Sequence, residues 1–224
     1  MRHPLWKKLL SYVTEISLVK TGSYSNPYLE VLLTNGRHQL VTADAIYSYD
    51  DKYENFNHAF KNINWDEFKG QKVLILGLGL GSVILLLEKH FHRQFDYTAV
   101  EVDAEICKLC YEYTLKDLNS FVEVIPREAM QFLKTDNQQY DLIIMDIFQS
   151  AVIPEKFQSE QFLNTLKDKL NHSGLIMYNR MNITDKDKSD NTKFIKVMRK
   201  VFPQMKNLPI KDNIVFISDK SHLL

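Results

Sequence analysis

The spacing of apolar and polar residues changes near residue 62 and divides the chain into two predicted parts. In the first part, short apolar-rich runs predict the strands of a small sheet at residues 14–20, 29–33 and 38–42. The last two of these strands flank Asn35-Gly36, a pair typical of a two-residue hairpin turn. An aromatic and polar stretch then predicts the opening of a helix that continues through Phe60. We therefore expect a small β segment with a linking helix over residues 1–62.

The second part, residues 63–224, shows a regular alternation of short apolar runs and longer helical patterns. The runs predict strands at residues 72–76, 96–102, 121–125, 141–147 and 174–178. The helices are predicted at residues 82–90, 104–116, 127–134, 158–170 and 190–201. This alternation predicts a parallel sheet with right-handed crossovers.

The end of the chain departs from this alternation. The apolar runs at 204–210 and 213–218 are separated by a short turn, so they must pair as an antiparallel hairpin. We therefore predict an α/β fold with a seven-stranded, Rossmann-like sheet of the class I methyltransferase type. An NAD-binding Rossmann domain, the alternative, would more often continue with another crossover.

Composition and charge narrow the classes of function. The 28 basic residues equal the 28 acidic ones, which argues against nucleic acid or acidic membranes as partners. No apolar run is long enough to cross a bilayer, and Leu9-Leu10 is too short for the core of a signal peptide, so we expect a cytoplasmic protein. Cys107 and Cys110 lack further ligands for zinc at suitable spacing. We expect both thiols on one helix, and no metal site.

Glycines follow the first strand of the second part directly, at Gly77, Gly79 and Gly81. A buried strand that runs into such a loop, with a helix after it, is typical of a nucleoside cofactor site. Ser82 stands where the dinucleotide fingerprint has its third glycine or an alanine. A tight strand–helix turn without a ligand is the alternative.

Acidic residues stand at or just beyond the ends of the next strands. Glu101 is placed to accept hydrogen bonds from ribose hydroxyls, whereas for Asp103 a cap on the next helix is the alternative to a site role. Glu128-Ala129 is predicted to contact an adenine amino group, or else Glu128 is a first-turn helix acid. Asp146 is the candidate catalytic residue, because it could orient the cofactor or act as a general base.

With these positions assigned, the chain resembles the spermidine synthase family, in its spermidine-synthase-like bacterial branch. The resemblance rests on the glycine loop, on residues 100–103, on Glu128-Ala129 and on residues 140–146. It implies a small N-terminal β domain, an adenosyl-sulfonium cofactor (S-adenosylmethionine or its decarboxylated form) and a homodimer. It also implies that Gln39 and Val102 contact the cofactor.

The chain departs from this family where a polyamine would bind. Leu80 and Gln149 replace acids, and the acidic pair before the aromatic stretch becomes Asp44-Ala45. Because a partly desolvated ammonium needs a paired carboxylate, these changes argue against polyamine substrates. The acceptor pocket is instead predicted to be more aromatic, with candidate lining residues Tyr47, Tyr49 and Phe148.

We therefore expect methyl transfer from S-adenosylmethionine to an unidentified small-molecule acceptor. Two alternatives stay open at this point. One is an aminopropyltransferase with altered amine recognition, and the other is a catalytically silent domain that binds S-adenosylmethionine or methylthioadenosine.

Overall fold

The computed structural model describes residues 3–43, 45–150 and 152–224. Its N-terminal part begins with a short helix, α1 (Leu5–Leu10). A four-stranded antiparallel sheet follows, built from β1 (Ile16–Thr21), β2 (Leu29–Thr34), β3 (Arg37–Val41) and β4 (Ile46–Tyr49). Asn35 and Gly36 both have positive φ, 52° and 73°, as the predicted hairpin turn requires.

Two features of this part differ from the sequence prediction. Helix α1 was not predicted, and β4 lies where the opening of a helix was expected. β4 forms because its residues pair with β3 across the sheet, with Tyr49 opposite Gln39 and Ser48 opposite Leu40. The linking helix, α2 (Glu54–Lys61), starts only after it.

The remainder of the chain alternates strands and helices as predicted. Five parallel strands are β5 (Lys72–Leu76), β6 (Asp96–Glu101), β7 (Val122–Pro126), β8 (Tyr140–Met145) and β9 (Leu170–Met181). The helices are α3 (Ser82–Leu85), continued by a wider π turn over Leu86–His90, α4 (Ala104–Tyr113), α5 (Ala129–Thr135), α6 (Glu160–Asp168) and α7 (Asp185–Val201).

The last two strands, β10 (Lys206–Ile210) and β11 (Asn213–Ile217), form the predicted antiparallel hairpin. The seven-stranded sheet has the order β10-β11-β9-β8-β5-β6-β7. Only β11 runs against the others, because it pairs antiparallel with both β9 and β10. The predicted α/β fold of the class I methyltransferase type is therefore confirmed.

Alternate residues of the central strands supply two separate cores. Val73 and Ile75 pack with the aromatic side chains of α2 and with α3, whereas Leu74 and Leu76 pack with α5, α6 and α7. Strands buried on both faces must be apolar throughout, which is why residues 72–76 were predicted with the correct bounds. No helix in the described part of the chain is long and apolar enough to span a bilayer.

The small sheet packs on the glycine loop and on α4. Leu29, Val31 and Leu40 form a third core with Leu80 and with the apolar face of α4. The boundary between residues 62 and 63 stays a prediction, and across it the backbone N–H of Leu224 donates to the carbonyl oxygen of Asn62 at 2.9 Å. Cys107 and Cys110 both lie on α4 as free thiols.

Candidate active site

A cavity of about 1430 Å³ opens at the carboxyl ends of the parallel strands, beneath the N-terminal sheet. Ligands of open α/β sheets bind at this edge. Most of the residues predicted from the sequence line it: Tyr47, Tyr49, Gly77, Gly79, Glu101, Val102, Glu128, Ala129, Asp146 and Phe148. Gln39 and Gly81 are not among its lining residues, and Gln39 is buried within β3.

The glycines of the loop after β5 serve close packing as much as ligand access. Gly77 has φ +91°, and a Cβ there would lie 2.4 Å from the carbonyl oxygen of Asp146. Gly79 has φ +54° and lies against the backbone of Tyr47. Gly81 has φ +79° and faces Cys110 of α4 rather than the cavity. The loop thus allows the end of β8 and the small sheet to approach one another closely.

Glu101 ends β6 with its carboxylate directed at the glycine loop. Its Oε2 accepts the backbone N–H of Leu78 at 3.1 Å, and its Oε1 accepts that of Asp103 at 3.0 Å. Desolvation raises the pKa of Glu101, and these N–H donors limit the rise. Each carboxylate oxygen keeps a lone pair for a further donor such as a ribose hydroxyl.

Glu128 has structural partners of its own at the start of α5. Its Oε2 accepts the backbone N–H of Gln131 at 2.9 Å, and its Oε1 lies 2.9 Å from the ammonium of Lys156. Burial would raise the pKa of Glu128, but Lys156 and the backbone donors bring it below its ordinary value. The capping alternative is thus realised, and an adenine contact by Glu128 stays a prediction.

Asp146 lines the cavity, just beyond β8. Tyr53 donates its hydroxyl to Oδ2 at 2.7 Å, and Asn179, from the end of β9, donates its amide to Oδ1 at 2.9 Å. Asn213 in turn donates to Asn179 at 3.1 Å. Burial raises the pKa of Asp146 to about 7, although Asn179 and Tyr53 act to lower it. The carboxyl group therefore changes protonation near neutral pH, which suits a general base or a receptor for an ammonium group.

Two partners of Asp146 went unassigned in the sequence prediction. Tyr53 falls in the aromatic stretch that was predicted to open a helix, and its hydroxyl is kept protonated because burial and then Asp146 raise its pKa well above the ordinary value. Asn179 was not singled out. The signal for it was present, since Asn179 follows the last predicted parallel strand, at the same edge of the sheet as Glu101 and Asp146.

The departures from the polyamine pattern occupy different environments. Leu80 is fully buried in the core between the small sheet and α4, so its side chain does not reach the cavity. Gln149 is exposed and lines the cavity, as does Ala45. Asp44 lies outside the described residues. Leu80 therefore contributes to the packing of the small sheet against α4 and is not part of the cavity wall.

The fold is that of a class I methyltransferase-like α/β protein, with a large cavity at the carboxyl ends of its parallel strands. The profile of the family described as "Spermine/spermidine synthase domain" matches residues 57–213. Because this match covers more than half of the chain, the protein belongs to the spermine/spermidine synthase family. The resemblance noted from the sequence is confirmed.

Individual relatives support the same placement. A probable polyamine aminopropyl transferase of Bifidobacterium longum is 30% identical over 129 residues, which is 58% of this chain and 28% of that protein. An N-terminal histidine N-methyltransferase of Emericella nidulans is 29% identical over 115 residues, 49% of this chain and 20% of the relative. The matched region thus spans about a quarter of the length of these curated relatives.

A solved structure extends the likeness to most of the fold. Spermidine synthase in complex with the transition-state analogue AdoDATO superimposes with a TM-score of 0.71 at 15% identity, covering 92% of this chain and 74% of that one. This similarity includes the N-terminal part as well as the α/β sheet. The comparisons taken together favour the aminopropyl alternative at least as much as the methyl transfer expected from the sequence.

Proposed function

We propose that this protein transfers an aminopropyl group from decarboxylated S-adenosylmethionine to a small amine. The observation that carries the proposal is Asp146, a desolvated carboxyl group in the cavity wall that is held by the neutral donors Tyr53 and Asn179. A carboxyl group in such surroundings favours binding of an ammonium group, since the cation lowers the cost of ionising it. Family membership supports the same chemistry.

The cavity fits an adenosyl sulfonium. Glu101 offers lone pairs to two ribose hydroxyls, Val102 and Ala129 provide apolar surface for a base, and Gly77 and Gly79 leave no side chain in the way. The bound sulfonium would supply an alkyl carbon activated by its bond to positively charged sulfur. Gln39 does not line the cavity, so we do not assign it to this binding surface.

The residues around Asp146 would then act on the acceptor. In the proposed reaction the amine nitrogen bonds to the alkyl carbon while the carbon–sulfur bond breaks, so that a neutral thioether leaves. Ionised Asp146 takes the proton that the amine must lose and holds the nitrogen in line with the breaking bond. Tyr53 and Asn179 fix the orientation of the carboxylate, and Tyr49 and Phe148 offer aromatic surface to the acceptor.

Methyl transfer from S-adenosylmethionine is the second candidate. Gln149, a neutral side chain in the cavity wall where the family pattern carries an acid, favours it. A diamine acceptor would place a second ammonium group in the cavity, and that group would need its own carboxylate.

Initial-rate measurements with both donors and a panel of amines test the proposal. We expect turnover with decarboxylated S-adenosylmethionine, and a loss of at least about a hundredfold in kcat for Asp146→Asn, the effect of removing a general base. Binding of methylthioadenosine, measured by calorimetry, should persist in that variant. Turnover with S-adenosylmethionine alone would establish the second candidate instead. Binding of the nucleoside without turnover of any amine would favour the silent-domain alternative.

A further inference from the structure

The loop between β1 and β2, residues 22–28, forms part of the cavity wall, and we call it the wall segment. Ser25 and Asn26 line the cavity, whereas Tyr24 at the tip of the segment is fully exposed. Gly22 allows a tight closure, because a Cβ there would lie 2.3 Å from the carbonyl oxygen of Pro27. Tyr24 therefore does not pack against the rest of the protein, and polar contacts hold the segment in place.

Asp103 supplies those contacts. It is only 2% exposed, and its two carboxylate oxygens have separate partners. Oδ1 accepts the backbone N–H of Glu105 at 3.0 Å and so caps α4. Oδ2 accepts the hydroxyl of Ser23 at 2.5 Å and the amide of Asn26 at 2.7 Å. One buried carboxylate thus joins the wall segment to the start of α4.

The same residue also contacts the predicted ribose acid. The backbone N–H of Asp103 donates to Oε1 of Glu101 at 3.0 Å. On the other side, Asn26 accepts a long hydrogen bond of 3.5 Å from the hydroxyl of Tyr47, and that hydroxyl accepts the backbone N–H of Ser150 at 3.1 Å. A continuous series of hydrogen bonds therefore runs from Glu101 through the wall segment to the loop that follows β8.

We propose that Asp103 is a positioning residue that holds the wall segment against the nucleoside half of the cavity, in a fixed position relative to Glu101. This inference rests on the proposed function, since it takes the Glu101 end of the cavity as the nucleoside end. A helix cap alone needs only Oδ1 of Asp103. Oδ2 also accepts hydrogen bonds from Ser23 and Asn26 of the wall segment, and these bonds connect the segment to the site.

The test removes the donors to Oδ2 and leaves the cap intact. The double variant Ser23→Ala/Asn26→Ala should weaken methylthioadenosine binding about tenfold, chiefly through faster dissociation, because the wall would no longer be held closed. Calorimetry gives the affinity and stopped-flow displacement gives the rate. Thr21→Val is the matched control, since Thr21 hydrogen-bonds Glu105 at 3.3 Å and does not contact Asp103. Ser23→Thr, which keeps the hydroxyl, should bind as the wild type does.

The outcomes separate this inference from the function on which it rests. A double variant that is folded, as judged by circular dichroism, and binds methylthioadenosine as tightly as the wild type would overturn the positioning role alone. Equal weakening in Thr21→Val would also overturn it, because the effect would then follow from general loosening of the small sheet. Failure of the wild type itself to bind methylthioadenosine would overturn both proposals.

Discussion

At the scale of single residues, the chemistry of the site depends on the proton of Asp146. Its folded-state pKa of about 7 lies above the ordinary 3.8, because the carboxyl group is desolvated. Between these two values the unfolded chain releases a proton that the native protein keeps. Native stability therefore falls as the pH rises from about 4 to 7 and stays low above that range. A protein retains such a group at a cost to its stability when the group serves function.

The first prediction follows from this linkage. Asp146→Asn cannot ionise, so it should be more stable than the wild type at pH 8 by about 4 kcal/mol. At pH 4 the two proteins should have nearly the same free energy of unfolding, which makes the low pH an internal control. Urea denaturation at the two pH values measures the difference. A gain of the same size at both pH values would show that the buried charge of Asp146 is not its cause.

The second prediction concerns Tyr53. Its hydroxyl stabilises the ionised form of Asp146, so Tyr53→Phe should raise the pKa of Asp146 further. If ionised Asp146 is the base, the rising limb of the profile of kcat/KM against pH should move upward by about half a unit or more. Tyr49→Phe is the matched control, because that hydroxyl contacts Asn35 at 3.4 Å. If the rising limb of the pH profile of kcat/KM is the same in Tyr53→Phe as in the wild type, the hydrogen bond from Tyr53 to Asp146 does not control activity.

At the scale of elements, the glycine loop after β5 joins packing to function. The sequence motif suggested a loop shaped for a ligand. Glycine is required at position 77, however, because a side chain there would collide with the backbone of Asp146. The loop, β8 and the small sheet meet within van der Waals distance there. A substitution in the loop should therefore disturb Asp146 as well as any ligand.

The third prediction is that Gly77→Ala is destabilising by about 2 kcal/mol or more, because φ is +91° and the added Cβ would collide with a carbonyl oxygen rather than a mobile side chain. Ala129→Gly serves as a comparison elsewhere on the cavity wall, since it adds no atoms. Thermal unfolding compares the variants. A Gly77→Ala protein as stable as the wild type would mean that β8 can move away from the loop at little cost.

The sequence predicted the elements that carry their own pattern. The strands buried on both faces and the final hairpin are continuous apolar runs, and their order is confirmed. β4 was missed because its pairing with β3, rather than its residue pattern, makes it a strand. Helix α7 starts at Asp185, whereas the sequence prediction began it at residue 190. The prediction began late because the first turns of the helix are polar and show no apolar periodicity. The capping box of Thr184 and Asp187 was the local signal for that start.

The site was predictable to the same extent. Acids at the carboxyl ends of parallel strands must meet at one edge of the sheet, so Glu101 and Asp146 could be placed together from topology alone. The hydrogen bond from Tyr53 to Asp146 could not, because it joins residues 93 positions apart in two different sheets. The environment of Leu80 could not be predicted either, because the sequence pattern of a loop does not indicate which core a loop residue packs into.

At the scale of the whole molecule, the candidate site belongs to both parts of the chain. The α/β sheet supplies Glu101, Asp146 and Asn179, and the N-terminal part supplies the tyrosines and the wall segment that cover them. The solved spermidine synthase matches both parts. A shared fold leaves the transferred group undecided, because the relatives of this chain include a protein named as a probable aminopropyl transferase and one named as a methyltransferase.

The most direct measurement is a competition between the two donors. The protein is incubated with equal concentrations of S-adenosylmethionine and decarboxylated S-adenosylmethionine and with a mixture of small monoamines and diamines, and the acceptor products are identified by mass spectrometry. The account predicts amines that carry an added aminopropyl group, together with release of methylthioadenosine, and a rate of product formation at least about a hundredfold lower for Asp146→Asn. Products that carry only an added methyl group would contradict it.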